Sequence, residues 1–139
     1  MDVSFLLRQR FGFSAFRPAQ RQVIDLILGG KHVLAVMPTR SGKSLCYQLP
    51  ALALPGLTLV ISPLVALMKD QVDQLDRLGL PATVINGTVS RDNQHVRLER
   101  AVNRQIKILY IAPERFQNQE FINKLAAAEI SLFAVDESY

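Results

Sequence analysis

Val33-Leu34-Ala35-Val36-Met37-Pro38-Thr39-Arg40-Ser41-Gly42-Lys43-Ser44-Leu45-Cys46-Tyr47 is the stretch around which the rest of the chain is read. Val33 to Val36 is a short apolar run, which predicts a buried strand. It empties into a turn and then Gly42-Lys43-Ser44, after which Leu45 to Ala53 carries a helical pattern. Strand, tight loop, Gly-Lys-Ser and helix together are the context of a phosphate-binding loop. The first N–H groups of such a helix lack intrahelical partners and point at an anion. Lys43 would add a point charge beside the terminal phosphates, and the Ser44 hydroxyl would hold a magnesium ion bridging them. Two positions depart from the strict pattern: Met37 stands where glycine is usual, and Arg40 where a small residue is easier to place.

A second run, Leu132-Phe133-Ala134-Val135, reads as another buried strand and ends in Asp136-Glu137. Ligands of parallel sheets sit at the carboxyl ends of the strands. Asp136 is therefore expected to face the same crevice as Lys43 and to hold magnesium through water, with Glu137 polarising an attacking water.

The 139 residues suffice for one domain or a piece of a larger one, and a hydrophobic fraction of 49% supplies a core. A net charge of +4 fits a polyanionic partner as well as many other proteins. The single Cys46 excludes an intramolecular disulfide and is expected to pack in the helix after the loop, beside Tyr47. No apolar stretch reaches the length of a membrane span, so no membrane partner is expected. The first residues lack the basic region of a signal peptide, which points to an intracellular address. The chain stops two residues after the Asp-Glu pair, and an amino-terminal piece of a longer protein is expected.

In order, residues 2–10 predict a short helix, followed by a packed, non-repetitive segment from Phe11 to Gln20. Pro18 is placed in the first turn of a helix that ends at Gly29-Gly30. Leu57–Ile61 is a strand, and Ser62-Pro63 reads as a helix start in which Ser62 caps. The helix runs to Gly79. Ala82–Ile85 is a third strand before the turn Asn86-Gly87-Thr88, and Ser90 caps a polar helix to about Arg104. Ile106–Ile111 is a fourth strand ending at Ala112-Pro113-Glu114-Arg115, and a helix over 119–128 precedes the last strand. Strands and helices alternate five times. The fold class is α/β, an open, mostly parallel sheet covered by helices on both faces.

Gln20 offers both a donor and an acceptor, matching the N6/N7 edge of adenine, and Phe13 or Arg17 offers a flat surface for a base. From its residues alone, a local network at a helix start is the favoured account of Gln20. Ser62, Pro63 and Lys69 after one strand, Asn86 and Thr88 after another, and Pro113 and Arg115 after a third are expected on the phosphate-loop edge, suited to a sugar–phosphate backbone. His32 and His95 lack partner ligands and read as structural or solvent-facing.

With these loops in place, the sequence resembles the first core domain of the RecQ family of ATP-dependent DNA helicases. Phe11-Gly12-Phe13 with Phe16-Arg17-Pro18-Ala19-Gln20 is similar to the family's adenine-recognition motif, and residues 37–48 to its phosphate loop. Residues 60–71 and 110–115 resemble its DNA-side motifs, and Val135-Asp136-Glu137 opens its metal and water motif. The resemblance implies a truncated RecA-like P-loop fold of helicase superfamily 2, with residues 1–139 forming part of the ATP-binding core domain. It implies ATP and Mg2+ as cofactors, and hydrolysis coupled to 3′-to-5′ movement on single-stranded or partly duplex DNA in recombination and repair. By position, Phe13 and Arg17 would sandwich adenine and Gln20 would read it. Thr39, Arg40, Ser41, Gly42, Lys43 and Ser44 would wrap the phosphates, Ser44 and Asp136 would serve magnesium, and Glu137 would activate water. The family address is cytoplasmic, at the nucleoid in a bacterium, or nuclear in a eukaryote.

The sequence departs from the family at three places. Arg40 replaces a glycine, Ser138-Tyr139 replaces Ala-His after the acidic pair, and Gly87 replaces a serine in the turn after the third strand. A second core domain, which unwinding requires, is absent from these residues. The isolated chain is therefore expected not to unwind DNA, and an inactive nucleotide- or nucleic-acid-binding remnant is the alternative.

Overall fold

A computed structural model describes residues 2–37 and 42–136 of the chain. The chain divides into two compact units, residues 1–55 and 56–139.

In the first unit, Asp2 caps a helical turn, α1 (Val3–Leu6), by accepting from the Ser4 N–H. The turn continues as a π-helical segment over Leu7–Phe11 and stops at Gly12, whose φ of 75° is the left-handed stop that glycine accepts without strain. The helix expected over 2–10 is thus real but widens halfway. Helix α2 (Gln20–Leu28) buries Gln20 and Ile24. It begins two residues after Pro18 because Ala19 takes a left-handed φ of 70° and breaks the helical path. Helix α3 (Leu45–Ala53) is buried from Leu45 through Ala51, and α2 packs on it.

The strand expected at Val33–Val36 does not form. These residues are irregular, and Leu34 and Val36 are 93% and 91% exposed. A strand is stabilised by a ladder and a covered face. No ladder partner for this run exists among the described residues.

The second unit is a four-stranded parallel sheet in the order β2-β3-β1-β4. Its strands are β1 (Leu57–Ile61), β2 (Ala82–Ile85), β3 (Ile108–Ile111) and β4 (Ile130–Val135). Helix α4 (Val65–Arg77) follows β1, α5 (Arg91–Val102) follows β2, and a 3-10 turn (Pro113–Gln117) with α6 (Gln119–Leu125) follows β3. Leu57 and Leu59, Ile85, and Leu109 and Ile111 share one sheet face and form a core with Leu98 and Ala101 of α5 and Phe121 and Leu125 of α6. Each such side chain contributes about 1.5–3 kcal/mol of burial. The fold class holds: an open parallel sheet flanked by helices. β4, however, is only partly covered, with Phe133 53% and Val135 71% exposed, because its outer edge has no neighbour among the described residues. No helix of the described residues is long and apolar enough to cross a membrane.

The amino ends of β1 and β4 are joined closely. The Gly56 N–H donates to Ser131 Oγ at 2.8 Å, and the Leu57 N–H to the Glu129 carbonyl at 2.7 Å. A Cβ on Gly56 would lie 2.5 Å from the Glu129 backbone oxygen, which cannot rotate away. Gly56→Ala should therefore destabilise the chain by about 1–3 kcal/mol. Urea unfolding checks this, and a midpoint equal to the parent's would show that the β1–β4 junction is slack.

Candidate functional site

The second unit presents its site through strand register. Ile85 pairs with Ile111, Ile111 with Ile61, and Ile61 with Val135, so the four last strand residues stand in one row. The ladder continues one step further: the Ala112 N–H donates to Ile85 O (3.1 Å), the Ser62 N–H to Ile111 O (3.3 Å) and the Asp136 N–H to Ile61 O (2.8 Å). Asn86, Ala112, Ser62 and Asp136 therefore line a single rim. The loops expected on one edge of this sheet do lie on one edge, with the first acidic residue among them.

Their side chains divide the work. Ser62 and Asn86 are buried, at 3% and 2% exposure. Asn86 Oδ1 accepts from the Thr88 N–H (2.8 Å) and the Thr88 hydroxyl (2.6 Å), fixing the turn that leaves Thr88 exposed. Gln94 closes the same turn by donating to the Asn86 and Val89 carbonyls, a contact that the sequence gives no sign of. Ser62 Oγ accepts from the Leu64 N–H at 3.2 Å, so it shapes a turn rather than capping α4, which starts only at Val65. The expected Ser-Pro helix start is therefore displaced by two residues, because Leu64 remains extended. Lys69 and Pro113 are exposed and Arg115 is half-buried. On the outer strand, the Arg97 guanidinium donates to Val84 O at 2.7 Å and blocks part of the open β2 edge, another role that its sequence position does not reveal.

The first unit holds the other candidate residues. Phe13 is 52% exposed, Arg17 is exposed, and Gln20 is buried to 3%. Gln20 Oε1 accepts from the Arg17 N–H at 2.7 Å while the Gln20 N–H donates back to Arg17 O at 3.1 Å. This reciprocal pair is a helix-start network of the capping-box kind. It does not exhaust the side chain, because Gln20 Nε2 donates to the Gly42 carbonyl at 3.0 Å. An amide has two N–H donors and two acceptor positions, so Gln20 keeps one of each for a further partner.

Gly42 has a φ of 81°, and a Cβ there would overlap Gln20 Nε2. Glycine at 42 is thus required twice, by backbone conformation and by close approach. Lys43 and Ser44 are half-buried, and Ser44 stands at the start of α3 without using its side chain as a cap. Thr39, Arg40 and Ser41 of the loop, and Glu137 with Ser138 and Tyr139, lie outside the described residues. Cys46 and Tyr47 are buried as expected, and burial pushes the Cys46 thiol up, which keeps it protonated and unreactive. His32 and His95 are exposed.

No group of three or more metal-ligating side chains occurs among the described residues. The Ser44 hydroxyl and the Asp136 carboxylate are hard oxygen donors of the type that suits magnesium, which takes most of its remaining ligands from phosphates and water. The donor chemistry fits that ion in company with a nucleotide.

Residues 17–138 match the DEAD/DEAH box helicase family. The chain belongs to that family, in its RecQ-like branch. It is 42% identical over 134 residues to the ATP-dependent DNA helicase RecQ of Haemophilus influenzae, an alignment covering 96% of this chain and 22% of the relative. To the ATP-dependent DNA helicase RecQ of Bacillus subtilis it is 44% identical over 135 residues, covering 96% and 23%. The chain thus spans less than a quarter of the length of either relative. Among solved structures, a hypothetical ATP-dependent RNA helicase from Sulfolobus tokodaii superposes with a TM-score of 0.74 at 26% identity, over 97% of this chain and 40% of that one.

The hydrogen bond between Gln20 and Gly42 makes a checkable statement. Gly42→Ala should destabilise the chain by about 1–2 kcal/mol from backbone preference alone, plus the overlap with Gln20. In a Gln20→Ala background the overlap is gone, so the same substitution should lose less. Denaturant unfolding of the four-member cycle measures the difference. Strict additivity would show that the two residues do not touch.

Proposed function

We propose that the chain is part of the ATP-binding core of a DNA helicase, in which ATP hydrolysis drives 3′-to-5′ movement along single-stranded DNA. The observation that carries this reading is the hydrogen bond from Gln20 to the Gly42 carbonyl, which ties the base-reading segment to the phosphate loop. Phe13 and Arg17 are exposed and would offer flat groups to an adenine ring. Lys43 would neutralise phosphate charge and the Ser44 hydroxyl would hold magnesium. Asp136 would serve magnesium and Glu137 would take a proton from the attacking water. Bound magnesium would supply charge neutralisation on the phosphates. On the sheet rim, Ser62, Pro63, Lys69, Asn86, Thr88, Pro113 and Arg115 form the side toward DNA. The buried members shape the loops and the exposed ones meet phosphates. Unwinding requires a second core domain to close on this one, so residues 1–139 by themselves are proposed not to unwind DNA.

Calorimetric titration with ATP and GTP tests the nucleotide assignment. ATP should bind more tightly, and Gln20→Ala should remove about 1–3 kcal/mol of that preference. Equal affinities in the parent chain would sink the adenine assignment.

A second reading, a nucleotide-binding remnant with little turnover, is favoured by Arg40. The loop must bring successive amides toward the phosphates, and a glycine permits the dihedrals and the approach. A side chain at 40 adds about 1–2 kcal/mol of strain if the nucleotide-bound loop needs a positive φ there. Its guanidinium attracts phosphate in the ground state, which strengthens binding without lowering the chemical barrier. Residues 1–139 grafted onto the remaining domains of an active relative should therefore bind ATP but turn it over slowly, and Arg40→Gly should raise the DNA-stimulated rate. Family-level turnover with Arg40 in place, unaffected by Arg40→Gly, would leave the steric argument without support.

A further inference from the structure

Behind the sheet rim, α5, α6 and the 3-10 turn enclose a cleft of about 400 Å3, whose α5 and α6 side chains carry none of the roles assigned above. Its lining includes Arg91 and His95 of α5, Arg115 of the turn, and Lys124 of α6, and its only carboxylate among the described residues is Glu120. The charges are incompletely neutralised. Glu120 reaches Lys124 at 3.4 Å as an exposed helical pair, which is weak and readily exchanged. Arg115 Cζ lies 5.6 Å from the centroid of the buried Phe121 ring, and its Nε is buried with no hydrogen-bond partner among the described residues. A buried guanidinium nitrogen without an acceptor is unfavourable unless an anion completes it.

His95 defines the polarity of the cleft further. Lys124 Nζ lies 3.2 Å from His95 Nδ1. An ammonium only donates, so Nδ1 accepts and the neutral ring carries its proton on Nε2. The cleft is also continuous with the rim, because Gly87 and Arg115 belong both to its lining and to the loops after β2 and β3.

We propose that this α5–α6 cleft binds a backbone phosphate of a nucleic-acid strand, one step beyond the strand-end loops, through Arg91, Arg115 and Lys124. This rests on the reading of the rim as the DNA side and extends it from Arg115 to Arg91 and Lys124, which lie outside the motifs. Phosphate suits the geometry because it accepts from several donors at once and carries charge that replaces Glu120 at Lys124. The interaction is with the backbone, so it is blind to base sequence.

The test is the salt dependence of labelled single-stranded oligonucleotide binding to the chain, followed by anisotropy. It compares the parent, the Arg91→Ala/Lys124→Ala double variant and Lys69→Ala, with circular dichroism confirming that each is folded. Both cleft positions are exposed, so the double variant should fold. The double variant should bind more weakly at low salt for every sequence tried. The slope of log affinity against log salt should become shallower by about 0.7 for each phosphate that the variant no longer neutralises. An unchanged slope in the double variant, with a shallower one in Lys69→Ala, would overturn the cleft and leave the rim reading standing. The reverse would uphold the cleft and remove Lys69 from the strand's path. A free-phosphate site is separated by titrating pyrophosphate and following the His95 ring by NMR in a His32→Gln background. Ring shifts with pyrophosphate, without any change in strand binding between parent and double variant, would also overturn the proposal. Absence of any oligonucleotide binding to the parent would remove both.

Discussion

Everything on the rim depends on one parallel register. With Ile85, Ile111, Ile61 and Val135 in a row, adjacent strands about 4.8 Å apart deliver Asn86, Ala112, Ser62 and Asp136 to one line. A one-residue slip would turn each inward side chain to the opposite face of the sheet. The core prevents it, because Leu59, Leu109 and Ile111 must meet Leu98, Phe121 and Leu125 together. Burial thus fixes register, and register fixes which groups can act together.

In the first unit, two left-handed residues bracket the candidate base-reading side chain: Ala19 at a φ of 70° and Gly42 at 81°. For alanine that conformation costs about 1–2 kcal/mol. It is held by the paired bonds between Arg17 and Gln20 and by the bond from Gln20 to Gly42. The strain is local, and what it achieves is also local. Gln20 is turned inward and fixed, with one donor and one acceptor position still uncommitted. A fixed amide discriminates between bases better than a mobile one, because its ordering entropy is already spent before the ligand arrives.

The parts legible in the sequence were those governed by short-range chemistry. Leu57–Ile61 and Ala82–Ile85 declare themselves as apolar β-branched runs between turns, and Ser90 caps α5 by accepting from the Asn93 N–H. The carboxyl-end loops and their acidic residue followed from the parallel alternation. Val33–Val36 is as apolar as β1 and still forms no strand, since apolar content cannot supply a ladder partner. Ser62-Pro63 has the composition of a helix start, but the extended Leu64 defers α4 to Val65. Asn86, expected on the backbone track with Thr88, is the buried anchor that holds the Thr88 turn. Such outcomes depend on packing across many residues, as does the α5–α6 cleft, where Arg91, His95, Arg115 and Lys124 mean nothing until the helices meet.

The division between buried neutral groups and exposed charges has an energetic logic. A serine or asparagine side chain can be buried at small cost when hydrogen-bonded, whereas a lysine or arginine loses a large hydration energy unless paired. The rim accordingly buries Ser62 and Asn86, which hold loop backbones in place, and leaves Lys69 and Thr88 in water. Charges left in solvent attract a polyanion at long range but are screened by salt. Rigid turns set where a strand would lie, and solvated charges set how strongly and how reversibly it is held. Under the proposed function, in which one phosphate is released as the next is taken, weak exposed interactions on a rigid rim are the better arrangement. A deeply buried ion pair would hold the strand in one place.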